Sequence, residues 1–391
     1  LYFYLNPAIF YYESLIRSEP ESISGARQGY EADIMVNPKL VFKIVMIFSI
    51  SLLFSGCYLL KQGVYLFRYT SSAKSTHKML ENEKLAEKTR NFIALVDRIR
   101  IFARDSIGLV ENKSYTKYVY VNKDHLVDVV TAAEELSFTQ YKWCFPIFGC
   151  FPNKGFFDRK DADVEAGKLK RKGYDVIIDE VDAFSTLGVL SDPLYSFMEE
   201  FSAYELASVI IHELTHATVF VKNQLQFNEE LASYIGTEGA LKFIKENDTT
   251  GAYSRVRAYL EDRDTYLNML RQLYRDLGTM YATEKDTVKA RLAKKELIES
   301  FKQNIALNYD TLFKTKGFKK VPEITINNAH LAIRMTYSLD LKIFDTYRNV
   351  NRYTLKQFMG YAKTLKKEKD PKSRLKKDLA MKLASLGKSQ P

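Results

Sequence analysis

A chain of 391 residues with 46% hydrophobic and 27% charged residues can bury a sizeable core, which excludes the disordered and collagen-like classes. Three cysteines are too few for a disulfide scaffold and too scattered for a cysteine-rich zinc module, so any catalytic metal must lean on histidine and carboxylates. The net charge of +10 permits anionic surfaces as partners, but no nucleic-acid-binding motif accompanies it and no nucleic-acid partner is expected.

Residues 1–34 precede a natural start at Met35 and read as an upstream extension, outside the fold. Residues 35–56 have the layout of a signal peptide: Lys39 and Lys43 without an acid, the uncharged run Ile44 to Phe54, then Ser55-Gly56 before Cys57. A cysteine directly after Ser-Gly resembles a bacterial lipobox, which implies a lipid on Cys57 and a chain tethered to a membrane on the extracytoplasmic side of the cell envelope. An uncleaved transmembrane anchor is the alternative, because the uncharged run continues to Leu60 and makes 17 residues.

The expected fold class is α+β, mostly helical, with a small sheet and a helical C-terminal region. Apolar residues at Phe92, Leu95, Val96, Ile99 and Phe102 predict a helix within Glu81 to Ser106. The β-branched and aromatic stretches Tyr118 to Asn122, Val127 to Ala132 and Phe138 to Trp143 predict strands. Cys144 and Cys150 flank Pro146 and Gly149; in an exported chain they could form a disulfide, and otherwise they would be two buried thiols. Arg159 to Lys172 predicts a helix stopped at Gly173, then a strand over Tyr174 to Val181. Phe201 to Val221 is apolar and helical, and Tyr253 to Ile305 reads as a helical hairpin broken near Ala282-Thr283. Between Lys363 and Lys388 ten Lys and Arg face three acids, so 364–391 reads as a basic tail, either a solvated helix with a frayed end or a contact for a membrane surface.

The chemistry concentrates at His212-Glu213-Leu214-Thr215-His216. On a helix, positions i and i+4 differ by about 40°, so the two imidazoles can share one tetrahedral zinc ion. Glu213 is then placed to act as general base on a water in the ion's open position. With 5 histidines in the chain a chance HExxH is improbable, although histidines satisfied inside an apolar helix would be the structural alternative. A catalytic zinc usually takes three protein ligands. Twelve positions after His216, Asn228 reads as a helix cap and the next two residues, Glu229 and Glu230, are both candidate third ligands once Lys222 to Phe227 turns the chain back.

The Asn-Glu-x-x-Ala arrangement resembles the third-ligand helix of zinc peptidases such as thermolysin, which implies Glu229 as the ligand and Glu230 as a solvated neighbour. More widely, Trp143-Cys-Phe-Pro, Gly149-Cys, Ala183-Phe-Ser-Thr-Leu-Gly, Asp192-Pro-Leu, the HExxH pentad, Phe227-Asn-Glu and Asn327-Asn-Ala resemble the bacterial lipoproteins called predicted aminopeptidases. The resemblance runs from Cys57 to about Lys363 and implies a gluzincin-like, zincin-type metallopeptidase domain over 57–363, with peptide or protein substrates. It also implies an oxyanion stabiliser, for which Tyr337 and His330 are candidates, both also readable as core residues. Ala183 to Gly188 could pair with an extended peptide as a sheet edge or be a plain edge strand. Met198-Glu199-Glu200 is a faint echo of the amine-reading carboxylates of zinc aminopeptidases and reads otherwise as a solvated helix start. The expected function is a membrane-anchored zinc peptidase acting on free N-termini; the alternatives are an endopeptidase or a zinc-stabilised binding or quality-control lipoprotein.

Overall fold

The computed structural model describes residues 58, 60–145, 149–182, 191–247, 251–336 and 341–387. Residues 1–57, Cys57 among them, Ala183 to Leu190 and Tyr337 lie outside these.

The described chain is mostly helical, with small sheets, and so α+β. It begins with α1 (60–72), β1 (Lys74–Ser75) and α2 (Thr76–Leu80). The helix expected from Glu81 starts later, as α3 (Glu87–Phe102), and runs on into a π turn over Ala103–Ile107. Its buried positions Phe92, Val96 and Ile99 keep the three-to-four spacing that marks one apolar face.

β2 (Lys117–Val119) pairs with β1 and with β8 (Leu194–Tyr195) in a short three-stranded sheet. The main sheet has the order β6-β3-β7, from β6 (Asn153–Phe156), β3 (Val127–Glu134) and β7 (Tyr174–Val181), all antiparallel. β3 and β7 pair over eight residues, from Val127 opposite Val181 to Glu134 opposite Tyr174. One face, with Val130, Ala132 and Val176, is covered by Ala162, Ala166 and Leu169 of α4 (Arg159–Arg171). The other, with Ala133 and Ile177, is covered by Ala329, Ala332 and Ile333 of α10 (Asn328–Thr336). A sheet covered on both sides has apolar residues on both faces, and β3 is buried along all but its last residue.

The strand expected over Phe138 to Trp143 does not form there. Only Trp143 belongs to a strand, the start of β4 (Trp143–Phe145), which pairs with β5 (Gly149–Phe151) as a hairpin. The residues before it meet β3 only at an isolated antiparallel bridge, Gln140 opposite Ala133, while the Asn328 amide donates to the carbonyls of Glu134, Glu135 and Ser137 in the preceding turn and Phe138 stacks on Tyr274. Cys144 and Cys150 face each other across the hairpin and form a disulfide.

The largest core gathers α3, α5 (Ala203–Thr218), α6 (Leu225–Asn247), α11 (Lys342–Val350), α12 (Leu355–Thr364) and α13 (Pro371–Gly387). A second core lies between α7 (Ala252–Thr283), α8 (Thr287–Leu307), α9 (Tyr309–Leu312) and the segment to Ile326. The stretch read as a basic tail thus carries α13, whose Leu375 is fully buried in the main core. Among the described residues no helix is long and apolar enough to cross a membrane.

Candidate metal centre

α5 starts at Ser202, whose hydroxyl accepts from the Glu205 amide while the Glu205 carboxylate accepts from the Ser202 amide. Such a reciprocal cap is worth about 1 kcal/mol and fixes where the helical phase begins. Leu206, Ala207, Ile210, Ile211 and Leu214 are buried on several sides, so α5 is an interior helix held at fixed rotation by packing.

α6 begins after a turn at Asn223, which adopts φ 61°. It starts at Leu225, four residues earlier than a cap at Asn228 would require. Asn228 is therefore not the helix cap; it is fully enclosed, donating from its amide to the Val221 carbonyl and accepting from the Val221 N–H. The effect is still a lock between the α5–α6 connection and the residue preceding Glu229.

The two helices approach closely at Gly236. A Cβ there would stand 3.0 Å from the Ser208 carbonyl oxygen and 3.2 Å from the His212 Cβ, so any larger residue would push α6 off the histidine. A helical glycine costs about 1 kcal/mol relative to alanine. Here the loss is offset by bringing the Glu229 turn within reach of α5.

The result is a cluster of three donor atoms. His212 Nε2 and His216 Nε2 are 3.0 Å apart, Glu229 Oε1 is 3.2 Å from His216 Nε2, and Glu229 Oε2 is 3.7 Å from His212 Nε2. A tetrahedral ion with ligand bonds of about 2.0–2.1 Å needs ligand atoms about 3.3 Å apart. The spacings straddle that value, and two imidazoles with one carboxylate suit a zinc-like cation. Glu229 is 3% exposed, and Glu213, one residue beyond His212, is buried too.

Electrostatics within the cluster are divided. Burial lowers the His212 pKa well below its usual value, with the neighbouring His216 adding to the effect. Burial also opposes charge on His216, but the Glu229 carboxylate outweighs it and raises that imidazole. Asp192, clamped by the Ser114 hydroxyl and by Tyr115 N–H on its carbonyl, has its pKa pushed up to about 6 by burial.

Glu230 is not the solvated neighbour expected of it. It is 0% exposed, accepts from Gln226 Nε2 and is paired with Lys372 of α13 at 2.7 Å. Two further contacts tie the same segment down: Lys366 Nζ donates to the Thr218 carbonyl at the end of α5, and Gln224 Nε2 donates to the Lys369 carbonyl. The chain's last helical region therefore straps the α5–α6 junction. No local pattern announces this, since Lys372 is one lysine among many in a basic stretch.

Of the other sequence candidates, His330 sits on α10, which packs on β3, β7 and α7; burial, then Arg334, pushes its pKa to about 3. Tyr337 lies outside the described residues, as does Ala183 to Gly188. Met198-Glu199-Glu200 falls in a 3-10 turn over Ser196–Glu200. Glu199 accepts from the Tyr118 and Thr89 hydroxyls, and Glu200 pairs with Lys88.

A second histidine–carboxylate cluster, absent from the sequence reading, joins His125, Asp128 and Glu180. The protein's own cations occupy it: Arg159 reaches Asp128 at 3.2 Å and Glu180 at 3.3 Å, and Lys123 lies 3.6 Å from Asp128. The neighbouring Asp128 carboxylate raises the His125 pKa despite burial.

Comparison with known proteins gives one positive result. The sequence model of a family described as "Putative aminopeptidase" matches residues 57–377. No curated protein and no solved structure matches the chain.

Proposed function

The chain belongs to that aminopeptidase family, and from this premise we propose that it is a zinc-dependent peptidase of zincin type, acting on free N-termini, with His212, His216 and Glu229 as ligands. The observation that carries the reading is the meeting of the buried His212, the half-buried His216 and the buried Glu229, with ligand atoms within 4.8 Å of one another, beside the buried Glu213 on the same helix as the histidines.

Zinc held there would supply Lewis acidity toward a peptide carbonyl and acidify a water. The remaining work falls to the chain. The Glu213 carboxylate takes the proton of the attacking water and passes it to the leaving amine nitrogen. His212 keeps its lone pair free down to acidic pH because burial disfavours its protonation. The Lys372–Glu230 pair and the Asn228–Val221 bonds hold the Glu229 turn in register with α5. Tyr337 is retained as the proposed oxyanion donor.

We also assign the chain to the bacterial cell envelope, held by lipid on Cys57. The Cys144–Cys150 disulfide supports an oxidising compartment. Mass spectrometry of the mature N-terminus tests the anchor: an intact Met35 start would replace it with a transmembrane segment.

The activity is tested by measuring metal content and peptide turnover together. Glu213→Gln should keep a full metal equivalent and lose at least a hundredfold in kcat. Retained turnover would remove the base assignment. Free and N-acetylated peptides of one sequence, offered side by side, separate the modes: stepwise cleavage of free peptides alone supports the aminopeptidase, and cleavage of both makes it an endopeptidase.

A further inference from the structure

Helix α1 is fixed to the body of the molecule along one side. Tyr58, Gln62, Tyr65 and Tyr69 recur at the spacing of a single helical face. The Tyr58 hydroxyl donates to the Gly155 carbonyl of β6 at 2.6 Å, and its ring packs on Phe145 and Phe156. Gln62 Oε1 accepts from the Phe157 N–H at 3.0 Å. Tyr65 stacks on Phe157, and Tyr69 meets both Phe157 and Tyr195. Lys61 adds ion pairs to Asp158 and Asp161. Contacts spread over three turns fix the rotation of the helix about its own axis.

The opposite side is apolar and open. Leu60, Val64 and Phe67 fall within about 60° of one another on the helix and point away from the packed tyrosines. They are 72%, 48% and 69% exposed. Single exposed apolar residues are ordinary on a protein surface, but three at i, i+4 and i+7, on a helix whose other face is already packed, make a stripe that the fold has not used. Ser71 continues the line, exposed and uncharged. Residues 60–72 contain no acid, and their charges are Lys61 and Arg68. Arg68 stands at the edge of the stripe, exposed, its guanidinium without an ion pair or hydrogen bond among the described residues.

We propose that α1 lies flat in the membrane interface, with Leu60, Val64 and Phe67 entering the headgroup boundary and Arg68 reaching lipid phosphate, so that it sets which face the domain turns to the bilayer. The inference rests on the lipid anchor proposed above. Cys57 immediately precedes Tyr58, and adjacent Cα atoms are about 3.8 Å apart, so an anchor at Cys57 leaves no linker between the bilayer and the body. An acid-free helix with an apolar stripe and a flanking cation is complementary to a surface of acyl chains and anionic headgroups. The stripe spans about 10 Å from Leu60 to Phe67. A helix standing upright on the anchor would bring Leu60 alone to the lipid, whereas one lying flat brings all three.

The full acylated chain is placed in vesicles of phosphatidylethanolamine and phosphatidylglycerol that carry a nitroxide-bearing lipid. An environment-sensitive fluorophore is attached to single cysteines introduced by Leu60→Cys, Phe67→Cys or Leu292→Cys, with the wild-type chain as the blank. Leu292, on α8, is equally open, at 64% exposed. The labels at positions 60 and 67 should be quenched at least about threefold more than the label at 292. Quenching at 60 alone shows an upright helix and overturns the proposal, as does equal quenching at 67 and 292. A blue-shifted label at 67 without nitroxide quenching places the stripe against protein, such as a second copy of the chain, and also overturns it. A label introduced by Ser71→Cys should lose most of its quenching when Val64 and Phe67 are both changed to Gln and keep it when both are changed to Leu; quenching that ignores the Gln pair shows that the stripe does not hold the helix down. Mass spectrometry of the same samples reads the anchor separately. Unmodified Cys57 with quenched stripe labels removes the lipid and keeps the interfacial helix; acylated Cys57 with an unquenched label at 67 does the reverse.

Discussion

His212, His216 and Glu229 in one cluster, and His125, Asp128 and Glu180 in another, bring the same kinds of donor within ligand spacing of each other. Their surroundings set them apart. In the first cluster the carboxylate's ion-pair partners are the two histidines themselves, whereas in the second they are Arg159 and Lys123 as well. Burial lowers the His212 pKa, while a neighbouring carboxylate raises that of His216 in the first cluster and of His125 in the second. Donor identity and spacing thus do not separate the two clusters; what differs is that the cations Arg159 and Lys123 reach the Asp128 carboxylate of the second.

The strongest test of this contrast is metal stoichiometry. The purified chain should hold one zinc, Glu229→Ala should reduce it to none, and His125→Ala should leave it at one; elemental analysis reads all three. A second equivalent that vanishes with His125→Ala would break the comparison. The next largest effect separates buried carboxylates by how many cations support them. Glu230 depends on Lys372, so Lys372→Met should cost about 3–5 kcal/mol in urea unfolding, with Lys372→Arg recovering most of it. Asp128 also has Lys123 and His125, and Arg159 is half exposed, so Arg159→Met should cost about 1 kcal/mol.

The smallest effect is a slope with pH. The folded pKa of His125 lies above the usual 6.5, so below pH 6.5 both states are protonated and its ion pairs contribute fully. As pH rises through the folded value the native state loses that proton and the contribution goes with it. Unfolding free energy should therefore fall with rising pH above 6.5 more steeply in the wild type than in His125→Gln. Parallel slopes would show that His125 is not charged in the native protein.

The clustering of the candidate ligands was legible in part because the two histidines obey a local rule. His212 and His216 are one helical turn apart and Glu229 follows a connection short enough to return the chain, but spacing left Glu229 and Glu230 both open and only the resemblance to a third-ligand helix chose between them. β7 was legible by a local rule as well, being a run of β-branched residues after a helix stop. The failures were non-local. Phe138 to Lys142 has strand-forming residues, but it meets β3 at a single bridge, and the turn before it is held by Asn328, more than 190 residues away in sequence for each of its three contacts. Asn228 looked like a cap because its residue type suits one; its bonds to Val221 depend on the path of the connecting turn. The burial of Glu230 and the filling of the second cluster by Arg159 likewise depend on partners that sequence proximity does not reveal.

The strap over the α5–α6 junction gives the centre an order of assembly. Glu230 is made 142 residues before Lys372, the lysine that neutralises it. Until α13 has been synthesised, Glu230 lacks the lysine that pairs with it in the complete fold. The stable form of the centre thus belongs to a chain complete through Pro371–Gly387, and the helix that carries its third ligand is secured late in the chain's own production.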